Sequence, residues 1–245
     1  KKLKKNEHLS NLANNTYTIS GKLVIKKPIV IPKGFNLVIS SGSELLFDQN
    51  SYIYLNGGNL TIDGENKKIK LFPLKDFWRG IYVNDSNDLS KIINTEISST
   101  RNFEHNGISL TGGINFYNSN VNIIDSSFLN SNAEDAINII NSKFKLIDSK
   151  IINTLSDALD SDFSKGLIKN TILKNIGGDA VDTSGSDVSI YDTEFFNIGD
   201  KGLSAGEKSN IYVENLKIKS ARFGLVSKDL SKIVGGNIDI TNSFQ

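Results

Sequence analysis

Asp157-Ala158-Leu159-Asp160 is followed 22 residues later by Asp179-Ala180-Val181-Asp182, and this spacing decides the fold. The same register extends one step back to 135–138 and two steps forward to 201–204 and 223–226. Repeats of this length are typical of solenoid proteins, in which each unit buries its apolar face against the next unit.

Each repeat reads as short β-strands, because apolar and polar residues alternate over a few positions before Gly, Asn, Asp or Ser intervenes. A β-unit of this size cannot bury a face on its own, and parallel crossovers are right-handed. We therefore predict an all-β fold, a right-handed parallel β-helix of roughly ten coils with about 22 residues per coil. The second strand of successive coils is expected at 144–147, 167–168, 188–191, 211–213 and 233–234.

The predicted domains are an N-terminal cap over 1–20 and the β-helix over 21–245. The cap is expected to contain a short helix over 3–13, with Leu9 and Leu12 facing the first coil. From Gly107 to Ala136 is 29 residues, seven more than one coil, which predicts a loop insertion around 112–131.

Composition excludes several classes of function. The 28 Lys and Arg residues balance 27 Asp and Glu residues, which argues against a nucleic-acid partner. The chain has no Cys and two His, so disulfides, thiolate zinc sites and Ser-His-Asp relays are not expected. No apolar run approaches the roughly 18 residues of a membrane span.

The C-terminal coil shows no cap in the sequence. The strand containing Ile238 and Ile240 is followed only by a few polar residues and Phe244. Because solenoid ends are open sheet edges, we expect other subunits or domains to pack on this coil.

A second column repeats at the same interval, with Asn153, Asn175 and Asn197. Turn amides that stack in register can hydrogen-bond along the solenoid. This column is therefore predicted to be a structural asparagine ladder.

The densest functional signal is acidic. Alternation directs Leu159 and Val181 inward, so Asp160 and Asp182 point outward on adjacent strands about 4.8 Å apart. With Asp157, Asp162 and Asp179 they place five carboxylates in one patch. Charges this close need a bound cation, a lysine or a shared proton. Ca²⁺ at Asp160, Asp162 and Asp182 is one candidate and Lys201 is another, while the third reading is that these residues only cap turns.

The coils resemble the pectin-lyase-like right-handed β-helix superfamily over nearly the whole chain. Stretches 110–117, 156–163, 177–186 and 199–207 look more narrowly like β-helix regions of bacterial surface proteins that also contain CotH-type kinase-like domains. This resemblance implies a secreted or cell-surface bacterial protein.

The superfamily resemblance also implies candidate enzymatic residues. Polygalacturonase-like hydrolases have an Asp and a His where this chain has Ala180 and Lys201, so that mechanism is not expected. Calcium-dependent polysaccharide lyases use acidic calcium ligands and a basic residue. The resemblance places Asp160, Asp182 and Glu207 as ligands, and Lys201 or Lys228 as the base.

Two functional classes follow. The favoured one is a non-catalytic extracellular module, a rigid scaffold or glycan-binding rod, with ligand contacts at Asp157, Asp160, Asp179, Asp182 and Glu207. The alternative is a calcium-dependent polysaccharide lyase or a related uronic-acid polysaccharide-processing enzyme. An enzyme of this type borders its groove with long loops, and only the insertion could build one here.

Overall fold

The computed structural model describes residues 9–12, 15–105 and 107–243, and every regular element in them is a β-strand. In chain order these are β1 Ser10–Leu12, β2 Thr16–Ile19, β3 Lys22–Ile25, β4 Ile29–Val30, β5 Asn36–Ile39, β6 Glu44–Phe47, β7 Ile53–Asn56, β8 Leu60–Asp63, β9 Ile69–Pro73, β10 Ile81–Asn84, β11 Ser90–Ile93, β12 Thr95–Ser98, β13 Phe103–His105, β14 Ile108–Leu110, β15 Gly112–Tyr117, β16 Val121–Ile124, β17 Ser127–Ser131, β18 Asp135–Ile140, β19 Lys143–Ile147, β20 Lys150–Thr154, β21 Asp157–Asp162, β22 Lys165–Lys169, β23 Ile172–Ile176, β24 Val181–Ser184, β25 Asp187–Gly206, β26 Asn210–Ser227 and β27 Lys232–Thr241. No helix long and apolar enough to cross a membrane occurs among these residues.

The strands stack as three parallel ladders. The first ladder joins β4, β7, β10, β15, β18, β21 and β24 and continues into β25 and β26. The second ladder starts at β2 and the third at β3, and both end in β27. The predicted parallel β-solenoid is confirmed, with about ten turns and roughly 23 residues per turn.

The register of the first ladder is the one that the repeat predicts. Leu159 pairs with Val181, Val181 with Leu203 and Leu203 with Leu225, each a step of 22 residues. In the second ladder Val188 pairs with Ile211, a step of 23, so coil length varies by a residue between turns. The five predicted strands of the second ladder all lie in it.

The core is one continuous apolar column inside the solenoid. Inward side chains of all three ladders, such as Ile137, Ile190 and Phe195, are 0% exposed and belong to one hydrophobic cluster. Trp78 is also fully buried and stacks on Phe47 with ring centroids 4.0 Å apart. Burial of the whole inner face, coil upon coil, supplies the main stabilisation of the fold.

The asparagine ladder is confirmed, and it extends one coil further back than predicted. Asn130, Asn153, Asn175 and Asn197 all have left-handed backbone conformations, with φ between 55° and 60°. Each later side chain donates its amide to the preceding amide oxygen, at 2.9, 2.9 and 3.2 Å. Asn suits this column because it tolerates positive φ and also supplies both hydrogen-bonding groups.

The N-terminal prediction needs correction. Residues 1–8 of the predicted cap lie outside the described part of the chain, but Ser10–Leu12, within the predicted helix over 3–13, is a strand that pairs antiparallel with Thr16–Ile19. That second strand already pairs with β5 in the solenoid, so the β-helix begins before residue 21. Leu9 does pack against the core, as expected.

The insertion also lies elsewhere than predicted. Residues 112–131 form three regular strands in register with the next coil, whereas the extra residues form an antiparallel hairpin of β13 and β14. The coil equivalent of Ala136 is Gly113 and not Gly107, because the neighbouring Ile114 pairs with Ile137. The insertion predicted around 112–131 is therefore wrong, because the additional residues precede Gly113 and form the hairpin.

The last coil ends in an open edge within the described residues. No described strand pairs with the outer edge of β27. Val234 and Ile240 on this strand are 57% and 40% exposed. The expectation that another subunit or domain packs there stays a prediction.

Candidate functional site

The outward side chains of the first ladder form an acidic face over four coils. We define this face by three columns that the register aligns. The first column is Asp135, Asp157, Asp179 and Lys201; the second is Asn138, Asp160, Asp182 and Ser204; the third is Ile140, Asp162, Ser184 and Gly206. Inward neighbours from Ile137 to Leu203 are at most 1% exposed, so the predicted division between core and surface holds.

The first column is held together by hydrogen bonds between coils. Asp157 Oδ1 accepts the backbone N–H of Asp179 at 2.8 Å, and Asp179 Oδ1 accepts that of Lys201 at 2.8 Å. These two carboxylates thus cap the next coil. The turn-capping interpretation is correct for Asp157 and Asp179.

Lys201 is the centre of an ion-pair network. Its Nζ lies 3.2 Å from both carboxylate oxygens of Asp179 and 2.5 Å from Oδ2 of Asp200. Asp200 also faces Arg222, with 3.8 Å between the charged atoms. Burial lowers the pKa of Lys201, but the Asp200 hydrogen bond and the Asp179 charge outweigh it and leave the pKa raised. Lys201 is therefore protonated and paired with Asp179 and Asp200, which does not suit a catalytic base.

The second column has little charge compensation. Asp160 receives only a long contact, 3.5 Å, from the amide of Asn138, and Asp182 Oδ1 accepts the N–H of Thr183 at 2.8 Å. Ser204 follows Asp182 in register and is fully buried. Its Oγ makes no hydrogen bond within the described part of the chain. A buried hydroxyl without a partner is unusual in a native fold.

Burial strongly raises the pKa values of several acidic groups on this face. It raises the pKa of Asp160 to about 9, with further increases from the charges of Asp162, Asp135, Asp182 and Asp157. It raises the pKa of Asp157 and of Asp162 to about 6 each. At neutral pH, Asp160 keeps its proton while the other two are mostly ionised. The crowding is thus relieved by a proton on Asp160 and by Lys201 at Asp179.

The third column and its end contain the remaining predicted residues. Asp162 lies half-buried beside the exposed Glu207, whose charge contributes to its raised pKa. Lys228 lies over Gly206, since a Cβ on that glycine would come within 3.1 Å of its Cε. Glu207 and Lys228 therefore flank the end of the acidic face, away from the Asp157 and Asp179 pair.

One group of acidic residues has metal-like spacing. Ligand oxygens of Asp157, Asp179 and Asp182 all lie within 4.8 Å of one another. Asp160 and Asp162, which the sequence suggested as Ca²⁺ ligands with Asp182, are not part of this group. Lys201 already balances Asp179, so a cation would have to share that carboxylate with an ammonium group. Ca²⁺ at this face stays a prediction.

Asp135, Asn138 and Thr111, which the sequence did not single out as site residues, close the face on its N-terminal side. Asp135 is only 4% exposed, and burial raises its pKa. The Asn138 amide donates to Asp135 at 3.0 Å and to Thr111 Oγ1 at 2.9 Å. Asp135 and Asn138 stand in the same repeat as the later acids, so the register could have found them, but nothing local marks Thr111.

The hairpin of β13 and β14 lies at the N-terminal end of the acidic face. Phe103 is fully buried against Tyr52 and Tyr82, with ring centroids 5.0 and 5.3 Å away. Thr111, directly after the hairpin, reaches Asn138. The hairpin of β13 and β14 therefore borders the acidic face at its N-terminal end.

Among known proteins, the likenesses to the chain are to solved structures. No protein-family model matches the chain, and neither does any curated protein. Similar solved structures include the thermostable pectate lyase PL 47, which is 13% identical, with a TM-score of 0.44 over 85% of this chain and 57% of that chain. The parallel β-helix fold of the chain is shown by its own strand pairing.

Two further structures show the range of proteins with this fold. A mutant of the periplasmic alginate epimerase AlgG is 12% identical, with a TM-score of 0.46 over 97% of this chain and 78% of that chain. PfbA, a surface adhesin of Streptococcus pneumoniae, is 10% identical, with a TM-score of 0.42 over 96% of this chain and 86% of that chain. At these identities the likeness concerns the fold alone, and the link to CotH-associated proteins stays a prediction.

Proposed function

We propose that the chain is a carbohydrate-binding β-helix of a secreted or cell-surface bacterial protein, and that the acidic face holds a saccharide without cleaving it. The observation behind this proposal is the cluster of hydrogen-bonding side chains that the register brings together on one face, with Asp160 beside Asp182 and Asp157 nearby. Asp160, with a pKa of about 9, has a proton to donate at neutral pH, while Asp157 and Asp182 already accept backbone N–H groups. Sugar hydroxyls donate and accept at once, so such a face complements them.

The spacing supports the same interpretation. Side chains of one column repeat about every 4.8 Å along the solenoid axis, so a linear saccharide could contact several coils in turn. The hairpin of β13 and β14 borders one end, and Glu207 with Lys228 borders the other.

A polysaccharide-processing enzyme is the second candidate, because a carboxylic acid that stays protonated at neutral pH is what acid catalysis of glycosidic cleavage requires. Asp160 would be the acid and Asp182, on the adjacent strand, the carboxylate. The calcium-dependent lyase has less support. Lys201, its expected base, is paired with two carboxylates, and Lys228 lies at the far end of the face.

A glycan array, probed with and without Ca²⁺, tests the proposal. We expect neutral glycans to bind in both conditions and Asp160→Ala to lose most of this binding. Asp125→Asn is the matched control, since it removes one exposed carboxylate at a left-handed turn where Asn is equally suited. Absence of any bound glycan would refute the proposal. Reducing ends or unsaturated products released from a bound glycan would favour the enzyme instead.

A further inference from the structure

A cleft on the third ladder presents a surface of opposite charge to the acidic face. Its volume is about 450 Å³. The residues that line it are Lys150, Ile152, Ile172, Lys174, Phe196, Asn197, Lys219 and Ser220. Apart from Asn197 of the asparagine ladder, none of the residues singled out in the sequence lies here.

Two columns of the third ladder build this cleft. Lys150, Ile172, Glu194 and Lys217 form one column, and Ile152, Lys174, Phe196 and Lys219 form the other. Phe196 and the two isoleucines are half-buried and form the floor, whereas the lysines form the rim. The cleft therefore has an apolar base inside a cationic rim.

The rim charges are not neutralised by the protein. Glu194 pairs with Lys217, with 3.1 Å between the charged atoms. Lys150, Lys174 and Lys219 make no ion pair among the described residues. Three coil steps separate Lys150 from Lys219, about 14 Å along the axis. The chain as a whole is nearly neutral, so this concentration of free positive charge is local.

We propose that this cleft is a second saccharide site, specific for a short glycan segment with carboxylate or sulfate groups. The lysines would pair with the anionic groups, and Phe196 would pack against the apolar face of a sugar ring. The volume suits one or two sugar rings. The acidic face would repel the same ligand, so the two sites would select glycans of different charge.

The test is calorimetric titration with oligosaccharides of one length in three forms: sulfated heparin-derived, polygalacturonate-derived and neutral. We expect one or both anionic forms to bind, which also distinguishes sulfate from carboxylate. The double variant Lys174→Gln/Lys219→Gln should weaken this binding at least tenfold. Lys143→Gln/Lys145→Gln, with the same charge change on exposed residues of the second ladder, should weaken it less than twofold. Phe196→Leu, which keeps an apolar floor, should weaken it several-fold.

The proposal fails if no anionic form binds, if both double variants weaken binding equally, or if a single-stranded RNA of similar length binds the cleft more tightly. Failure of the acidic-face proposal is separable. In that case neutral glycans would not bind, whereas anionic binding that depends on Lys174 and Lys219 would persist.

Discussion

Asp160→Asn is expected to change how the stability of the protein depends on pH. The folded pKa of Asp160 is about 9, whereas an unfolded Asp titrates near 3.9. Because the pKa is raised on folding, the folded state binds the proton more tightly. Stability is therefore highest at low pH and falls as pH rises between the two pKa values.

The expected loss of stability corresponds to the release of one proton, from Asp160. Each pH unit in this window costs about 1.4 kcal/mol of unfolding free energy, so the wild type should lose about 2.5 kcal/mol between pH 6.5 and 8.5. Asp157 and Asp162, with pKa values of about 6, contribute mainly below this range. The amide that replaces the carboxyl group in the Asp160→Asn variant cannot ionise, so this variant should lose little stability over the same range.

Urea unfolding followed by circular dichroism at several pH values measures this dependence. Asp125→Asn should keep the wild-type slope, since the replaced carboxylate is exposed. At pH 8.5, Asp160→Asn should be more stable than the wild type. A wild-type stability that is flat from pH 6.5 to 8.5, or a variant with an unchanged slope, would refute a protonated Asp160.

Three further predictions concern the framework. Asn175→Ala should lower stability by about 2 kcal/mol, because it strains a left-handed turn and breaks two ladder hydrogen bonds, whereas Asn175→Gly should cost less; thermal melts compare them. Lys201→Ala should lower the free energy of unfolding by about 3 kcal/mol, because it leaves buried Asp179 unpaired, whereas the exposed Lys217→Ala should lower it by less than about 1 kcal/mol. A chelator should leave the melting temperature unchanged. A melting temperature that falls with chelator would instead indicate a bound metal. Phe103→Ala should release the hairpin, so limited proteolysis should cut within 103–110 while the melting temperature changes little.

The fold could be predicted from the sequence because the repeat is explicit in the C-terminal half. Once Leu159 and Val181 are aligned at 22 residues, the parallel ladder and the outward position of Asp160 and Asp182 follow from strand alternation. The same regularity predicts the asparagine ladder. These inferences need only spacing and side-chain direction.

The two incorrect predictions, the helix over 3–13 and the insertion around 112–131, concern segments where the repeat is interrupted. Gly107 and Gly113 both fit the small-residue position before an inward Ile, and only strand pairing shows that Gly113 occupies it. The segment 10–12 carries no strand pattern of its own. It becomes a strand because the edge of β2 offers backbone partners.

The chemistry of the site was predictable only in part. The 22-residue spacing predicts which side chains share the face, but their ionisation depends on burial. The raised pKa values of Asp135 and Asp160 depend on how deeply the fold buries them, which no spacing reveals. Likewise, Lys201 could be named as the partner of Asp179, whereas its contact with Asp200 requires the folded turn.

A crystal structure of the protein with a bound neutral oligosaccharide tests the proposed function most directly. We predict that the saccharide lies across at least two coils of the acidic face, with hydroxyl groups within hydrogen-bonding distance of Asp160 and Asp182. A saccharide bound elsewhere on the solenoid, with the acidic face uncovered, would contradict it.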